Sequence, residues 1–229
     1  DPKAELARPA GWVYLPEGVV NNSYKAQWYF EDSELVAETA TSIKEYEAKT
    51  VFLHTAKKDE NARLSIAFCE EGTVSIGAVS LMPGNHFHGM RPDVVNLLKE
   101  MGVRLLRWPG GNFAGEYNWK DGLLPADMRA PFESHLGMET QPHSLGYDFN
   151  EINTDDFVAL CKEIGAEPFI TINPTWNTEE ECAQWVEYCN GDADTEYGRI
   201  RIERGYKEPY NVKYWSLGNE FGYGHMEGD

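Results

Sequence analysis

The chain has 229 residues, 41% of them hydrophobic and 13% aromatic, which suffices for one large domain or two modest ones and excludes wholesale disorder. Twenty Lys and Arg against 38 Asp and Glu leave a net charge of −18, a field that repels phosphate backbones and argues against a nucleic-acid partner. No apolar run approaches the roughly 18–20 residues of a membrane span, and the four cysteines, Cys69, Cys161, Cys182 and Cys189, form no CxxC pair, which argues against a zinc site or a disulfide-stapled scaffold.

Residues 1–9 carry neither an initiator Met nor a basic-then-apolar leader, so the start reads as a processed or cut end and the compartment stays open between extracellular and cytoplasmic. Residues 1–83 read as β, best as part of a sandwich. Tyr24–Phe30 and Lys49–Leu53 are aromatic and β-branched. Ala62–Cys69 alternates Leu64, Ile66 and Phe68 with Arg63, Ser65 and Ala67, and Gly72–Met82 alternates likewise. The Glu70-Glu71-Gly72 turn between these two runs predicts an antiparallel hairpin. Ser33–Tyr46 reads as strand or loop rather than helix.

From Gly84 onward the period changes. Pro92 opens a helix whose Val94, Leu97, Leu98 and Met101 recur at helical spacing, and Gly102 can end it in the left-handed conformation. Val103–Trp108 follows as a strand. Asn153 or Thr154 then caps a helix with Phe157, Leu160, Cys161 and Ile164 on one face, closed by Gly165 and followed by a strand at Pro168–Ile172. Thr178 with Glu181 makes a capping box. Cys182, Trp185, Val186 and Cys189 form the next stripe, and Val212–Leu217 the next strand. The cysteines on these stripes are most simply core residues. Cys182 and Cys189 lie two turns apart, roughly 10 Å, too far to bridge.

Helix–strand repeats of this kind make a parallel sheet. No GxGxxG or P-loop follows any strand, which counts against a nucleotide-binding open sheet. Polar and aromatic clusters sit instead at three strand ends: Arg107–Asn112, Asn173–Trp176 and Gly218–Glu220. Barrel enzymes assemble their sites at that face. The fold class is therefore α/β, a partial (β/α)8 TIM barrel over 84–229 preceded by an all-β sandwich segment over 1–83. The barrel is read as truncated, because three strands are recognisable where eight are needed.

A Glu at the mouth of such a barrel can protonate a leaving-group oxygen once its pKa is raised, and the adjacent amide can bond a sugar hydroxyl. Taken alone, the Asn219-Glu220 pair is more simply a strand-end Glu in an ion pair. It does not stand alone. Arg107-Trp108-Pro109-Gly110-Gly111-Asn112-Phe113, Tyr117-Asn118-Trp119-Lys120-Asp121-Gly122, Gly165-Ala166-Glu167-Pro168, Val186-Glu187-Tyr188-Cys189-Asn190-Gly191 and Glu208–Trp215 running into Leu217-Gly218-Asn219-Glu220 resemble, in order and spacing, glycoside hydrolase family 51, the α-L-arabinofuranosidases. Asn21–Ala26 and the strands to Met82 resemble, more loosely, the carbohydrate-module-like sandwich that some members carry before this part of the barrel.

The resemblance implies a retaining glycosidase that releases terminal α-L-arabinofuranosyl residues from arabinose-containing oligo- or polysaccharides, with no cofactor and no catalytic metal. The sequence points to no nucleic-acid or membrane partner and leaves the oligomeric state open, a homo-oligomer at full length being one option. Glu220 would be the general acid/base. Asn219, Asn112 and Arg107 would line or organise the sugar subsite, with a buried ion pair as the plain alternative for Arg107. The nucleophilic Glu is expected beyond residue 229, since Glu116, Asp121, Glu133, Glu139, Asp148 and Glu151 do not stand at matching positions. An isolated 229-residue polypeptide is accordingly expected to be inactive. Trp108, Trp119 and Trp176 could stack on sugar or fill the core. His86 and His88 have metal-like spacing without a third ligand and read as a polar loop. Pro125–Asn150 reads as a long loop that departs from the family pattern. Two other readings compete: another retaining barrel glycosidase of the β-glucanase or β-xylosidase type, and a non-catalytic carbohydrate-binding protein.

Overall fold

A computed structural model describes residues 9–14, 24–30, 35–41, 47–50, 64–68, 75–129, 131–133, 147–174 and 177–220. The chain divides into two compact units, Asp1–Pro92 and Asp93–Asp229. In the first, β1 (Pro9–Tyr14), β2 (Tyr24–Phe30), β3 (Leu35–Thr41), β4 (Glu47–Thr50), β5 (Leu64–Phe68) and β6 (Ser75–Leu81) form two antiparallel three-stranded sheets, ordered β4-β1-β6 and β3-β2-β5. The ambiguous Ser33–Tyr46 stretch holds a strand, β3. The hairpin expected across residues 70–72 does not form: β5 pairs with β2 and β6 with β1, in different sheets. Alternation tells which residues share a face, not which strand lies alongside. β1 escapes sequence reading because Pro9, Ala10 and Gly11 have little strand propensity.

The second unit continues with α1 (Pro92–Glu100), β7 (Leu105–Trp108), the two-residue antiparallel ladder of β8 (Phe132–Glu133) and β9 (Tyr147–Asp148), α2 (Thr154–Ile164), β10 (Glu167–Ile172), α3 (Glu179–Asn190), α4 (Glu196–Glu203) and β11 (Tyr214–Leu217). Local chemistry fixes the helix ends. The Asn153 side chain accepts from the Asp156 N–H at 2.8 Å while the Asp156 carboxylate accepts from the Asn153 N–H at 3.3 Å, a reciprocal box. Thr178 and Glu181 do the same at 3.2 and 2.9 Å, and these bonds hold the Glu181 carboxyl below its usual range. Gly165 ends α2 at φ 74°, in the left-handed region that glycine enters without penalty. The sequence reading missed α4. It has no continuous apolar stripe, and the side chain it buries completely is a cation, Arg201.

β7, β10 and β11 form a parallel sheet in the order β7-β10-β11. Its registers set Trp108, Ile170 and Trp215 side by side on one face. That face carries the core: Trp108, Ile170 and Trp215 meet Phe157, Val158 and Cys161 of α2 and Trp185, Tyr188 and Cys189 of α3. Rings dominate it. Trp108 stacks on Phe157 at 5.3 Å, and Trp119 stacks on Trp185 at 6.0 Å. Burial pushes the Cys161 thiol up to about 12 and the Cys189 thiol well above its ordinary value. Both are free, and so is Cys182. The expected stripe of α1 behaves differently: Val95 is buried, whereas Val94, Leu97 and Met101 are exposed.

Candidate active site: the strand ends of the parallel sheet

Because side chains alternate across a strand, the face opposite the aromatic core presents Arg107 of β7, Phe169 and Thr171 of β10, and Tyr214 and Ser216 of β11. Arg107, Phe169 and Tyr214 lie in one row, and Thr171 and Ser216 in the next. Arg107 reaches across the central strand. Its Nε donates to Thr171 Oγ1 at 3.0 Å and its Nη2 to Asn219 Oδ1 at 2.6 Å. The structure thus joins two of the residues singled out from the sequence, Arg107 and Asn219, through a charge-assisted hydrogen bond. No ion pair of Arg107 occurs among the described residues.

The turn that carries Asn219 and Glu220 is tightly shaped. The Gly218 N–H donates to Ile172 O at 2.9 Å, extending the ladder past β11, and Ser216 Oγ donates to Gly218 O at 3.0 Å. Gly218 has φ 78° and Glu220 φ 53°. Among the described residues the other non-glycine positions with positive φ are His88, Asn150 and Asn211, types that tolerate it; Glu does not. A side chain held there costs of order 1–3 kcal/mol, and such outliers gather at functional sites. Glu220 is exposed. Asn112 sits in the 3-10 turn Gly111–Gly115 that follows β7, so its backbone belongs to a strand-end loop two strands away from Glu220. Its side chain lies outside the described residues.

Other residues of the strand-end clusters are structural. Asn173 is fully buried, and its Nδ2 donates to Tyr117 O at 3.2 Å. Trp108 and Trp119 belong to the core; Trp119 is 1% exposed, with its indole N–H donating to Glu181 O at 3.0 Å. Trp176 lies outside the described residues. His86 Nδ1 accepts from the Gly89 N–H at 2.8 Å, as a loop residue does. Among the described residues, no group of three or more His, Cys, Asp or Glu could hold a metal ion.

Two residues that shape this unit escaped the sequence reading. Thr171 lies within the predicted strand Pro168–Ile172 and is not singled out there; the one signal in the sequence is a hydroxyl in a β-branched strand residue. Asp155 is not singled out either, since it directly follows the candidate caps Asn153 and Thr154. It is buried, its Oδ1 accepting from the Tyr188 and Tyr210 hydroxyls at 2.7 Å each and its Oδ2 from Arg204 Nη2 at 2.9 Å. Arg204 also donates to the carbonyl of Leu123. Asp155 therefore ties α2 and α3, the segment after α4 and, through Arg204, the loop after β7.

Residues 97–227, more than half the chain, match the family of the α-L-arabinofuranosidase 1 domain. The chain belongs to this family. Among arabinofuranosidases, α-L-arabinofuranosidase C of Emericella nidulans is 38% identical over 187 residues, covering 80% of this chain and 36% of that protein. The crystal structure of the Thermotoga maritima α-L-arabinofuranosidase, an arabinose complex, is 43% identical with a TM-score of 0.53, over 58% of this chain and 26% of that one. An arabinose-bound family 51 α-L-arabinofuranosidase superposes with a TM-score of 0.72 over 95% of this chain and 39% of its own, at 17% identity; that likeness concerns the fold. The chain thus spans little more than a third of the length of the curated arabinofuranosidase it matches.

Proposed function

We propose that residues 1–229 supply the acid/base half of a retaining α-L-arabinofuranosidase site, on a partial (β/α)8 barrel formed by residues 84–229 and preceded by a carbohydrate-module-like segment over 1–83. The observation that carries this reading is the Arg107–Asn219 bond, which gathers two strand ends at the turn holding Glu220. The sequential β7-β10-β11 order with α2 and α3 on one face supports the barrel, since a doubly wound sheet reverses its order and covers both faces. In this reading Glu220 donates a proton to the departing glycosidic oxygen, then takes one from the water that attacks the glycosyl-enzyme. Asn219 bonds a hydroxyl of the cleaved sugar, Asn112 lines the same subsite from the β7 loop, and Arg107 organises the pocket. Retention needs a second carboxylate roughly 5–5.5 Å from the first. None of the carboxylates here is assigned that role, and the nucleophile is placed outside residues 1–229. The substrate is an arabinose-containing oligo- or polysaccharide.

The test compares hydrolysis of aryl α-L-arabinofuranosides by the 229-residue chain and by a polypeptide extended at both ends. Turnover is expected from the longer protein only; comparable turnover by the short one would refute the external nucleophile. In the longer protein, Glu220→Ala should slow cleavage of poor leaving groups by about 10²–10⁴-fold and activated ones far less. Equal losses on both would remove Glu220 from the acid/base role.

A further inference from the structure

We infer that Thr171 is a positioning residue of this site, which sets the orientation of the Asn219 amide through Arg107. The inference rests on the reading above and adds to it a residue that touches no sugar. Arg107 starts on β7 and its guanidinium ends at the turn after β11, so it must span the width of β10. Neighbouring strands lie about 4.8 Å apart, so two such spacings separate β7 from β11, and a side chain laid across the central strand keeps one aim only if something holds it midway. Thr171 is placed to do so. It is completely buried in the central strand, it is laddered to β11 at Ser216, and its β-branched side chain is stiff at χ1. Its Oγ1 accepts from Arg107 Nε at 3.0 Å.

With Nε held, the planar fork has one remaining degree of aim, and Nη2 meets Asn219 Oδ1 at 2.6 Å. A guanidinium is donor-only, so this contact also settles which end of the Asn219 amide faces it. The oxygen points to Arg107 and the Nδ2 hydrogens point the other way. Asn219 is thereby presented as a hydrogen-bond donor, suited to an oxygen lone pair of a sugar hydroxyl. A valine in place of Thr171 would keep the shape and leave Nε–H against a methyl group. The fork would then be free to turn, and the amide free to flip.

The test uses the extended polypeptide and initial rates on an aryl α-L-arabinofuranoside. Thr171→Val should lower kcat/KM about tenfold or more, the scale of a hydrogen bond to a charged group, while Thr171→Ser, which restores the hydroxyl, should stay within about twofold of the parent. In an Asn219→Ala background Thr171→Val should cost less than about twofold, because the residue it serves is gone. Should Thr171→Val fold poorly, Arg107→Lys reports on the same link: it keeps the charge but lacks the planar fork that fixes Thr171 and Asn219 in one geometry, and it should lose about as much, again non-additively with Asn219→Ala. A parent-like Thr171→Val, an equal loss in the Asn219→Ala background, or a Ser variant as weak as the Val one would overturn the inference. An inactive parent polypeptide would instead sink the arabinofuranosidase reading itself.

Discussion

The two faces of the parallel sheet come from the same fourteen strand residues and are built on opposite principles. On one, Trp108, Ile170 and Trp215 meet the helices, and Ile170, Trp185, Tyr188 and Cys189 are completely buried. On the other, Leu105 is 48% and Tyr214 47% exposed, and Arg107 donates to both Thr171 and Asn219. The closed face uses its polar atoms to lock helices together through Asp155. The open face spends them on aiming side chains at the strand ends. If the open face carries the proposed site, stability and chemistry are separable by the parity of a strand residue, and substitutions test that separation directly.

The largest effect is expected at Asp155. Removing a fully buried carboxylate strands its partners, and Asp155→Ala should cost about 3–5 kcal/mol in urea unfolding, because Arg204 would be left without its counter-ion and Tyr188 and Tyr210 without their acceptor. Arg107→Ala, on the open face, should cost under about 1 kcal/mol in the same measurement. Equal costs would erase the distinction between the faces.

Alkali probes the closed face next. Burial first, and the Asp155 charge second, push the Tyr188 and Tyr210 hydroxyls well above their ordinary range, and burial raises Cys161 to about 12. The sign follows from proton counting. Each folded-state pKa is raised, so above the unfolded value the unfolded chain holds fewer protons than the native one, and stability falls as pH rises. The contribution is intact below pH ~9 and lost above it, at roughly 1.4 kcal/mol per pH unit for each group that titrates. Unfolding midpoints between pH 8 and 11 should therefore drop. A flat profile would mean these groups are solvated in the native state.

Much of the second unit was legible beforehand. The Thr178–Glu181 capping box, the helix start at Asn153 or Thr154, the stop at Gly165 and the strands β7, β10 and β11 follow from patterns that act within a few residues: a side-chain oxygen reaching its own helix start, or an apolar run of strand length. The reciprocal bond between Asp156 and Asn153 is seen only in the structure. The Arg107–Asn219 pair could be singled out by position but not joined, since 112 residues separate them. Three features lay out of reach for physical reasons. The pairing of β5 with β2 and of β6 with β1 is non-local and leaves no trace in alternation. α4 is held by a buried Arg201 rather than by an apolar stripe. Asp155 sits in a run, Asn153-Thr154-Asp155-Asp156, where every residue suits a cap, and only packing reveals that one of them is a buried counter-ion.

The smallest effect is the sharpest test of how the closed face is satisfied. Tyr117, Tyr188 and Tyr210 are all buried aromatic residues of the same core. The last two donate to Asp155 at 2.7 Å, whereas the Tyr117 hydroxyl has no hydrogen-bond partner among the described residues. A buried hydroxyl without a partner carries its desolvation cost uncompensated, about 1–3 kcal/mol. Tyr117→Phe should therefore leave the unfolding free energy measured in urea unchanged or raise it, by up to about 1 kcal/mol, while Tyr188→Phe should lower it by about 1.5–3 kcal/mol because it removes a hydrogen bond to a charged group. The two substitutions delete the same atom from the same residue type in one core. Opposite signs would show that the Asp155 bonds, and not ring packing, give the closed face its polar share of stability. A Tyr117→Phe loss as large as that of Tyr188→Phe would mean that the Tyr117 hydroxyl is held by a partner other than the described residues.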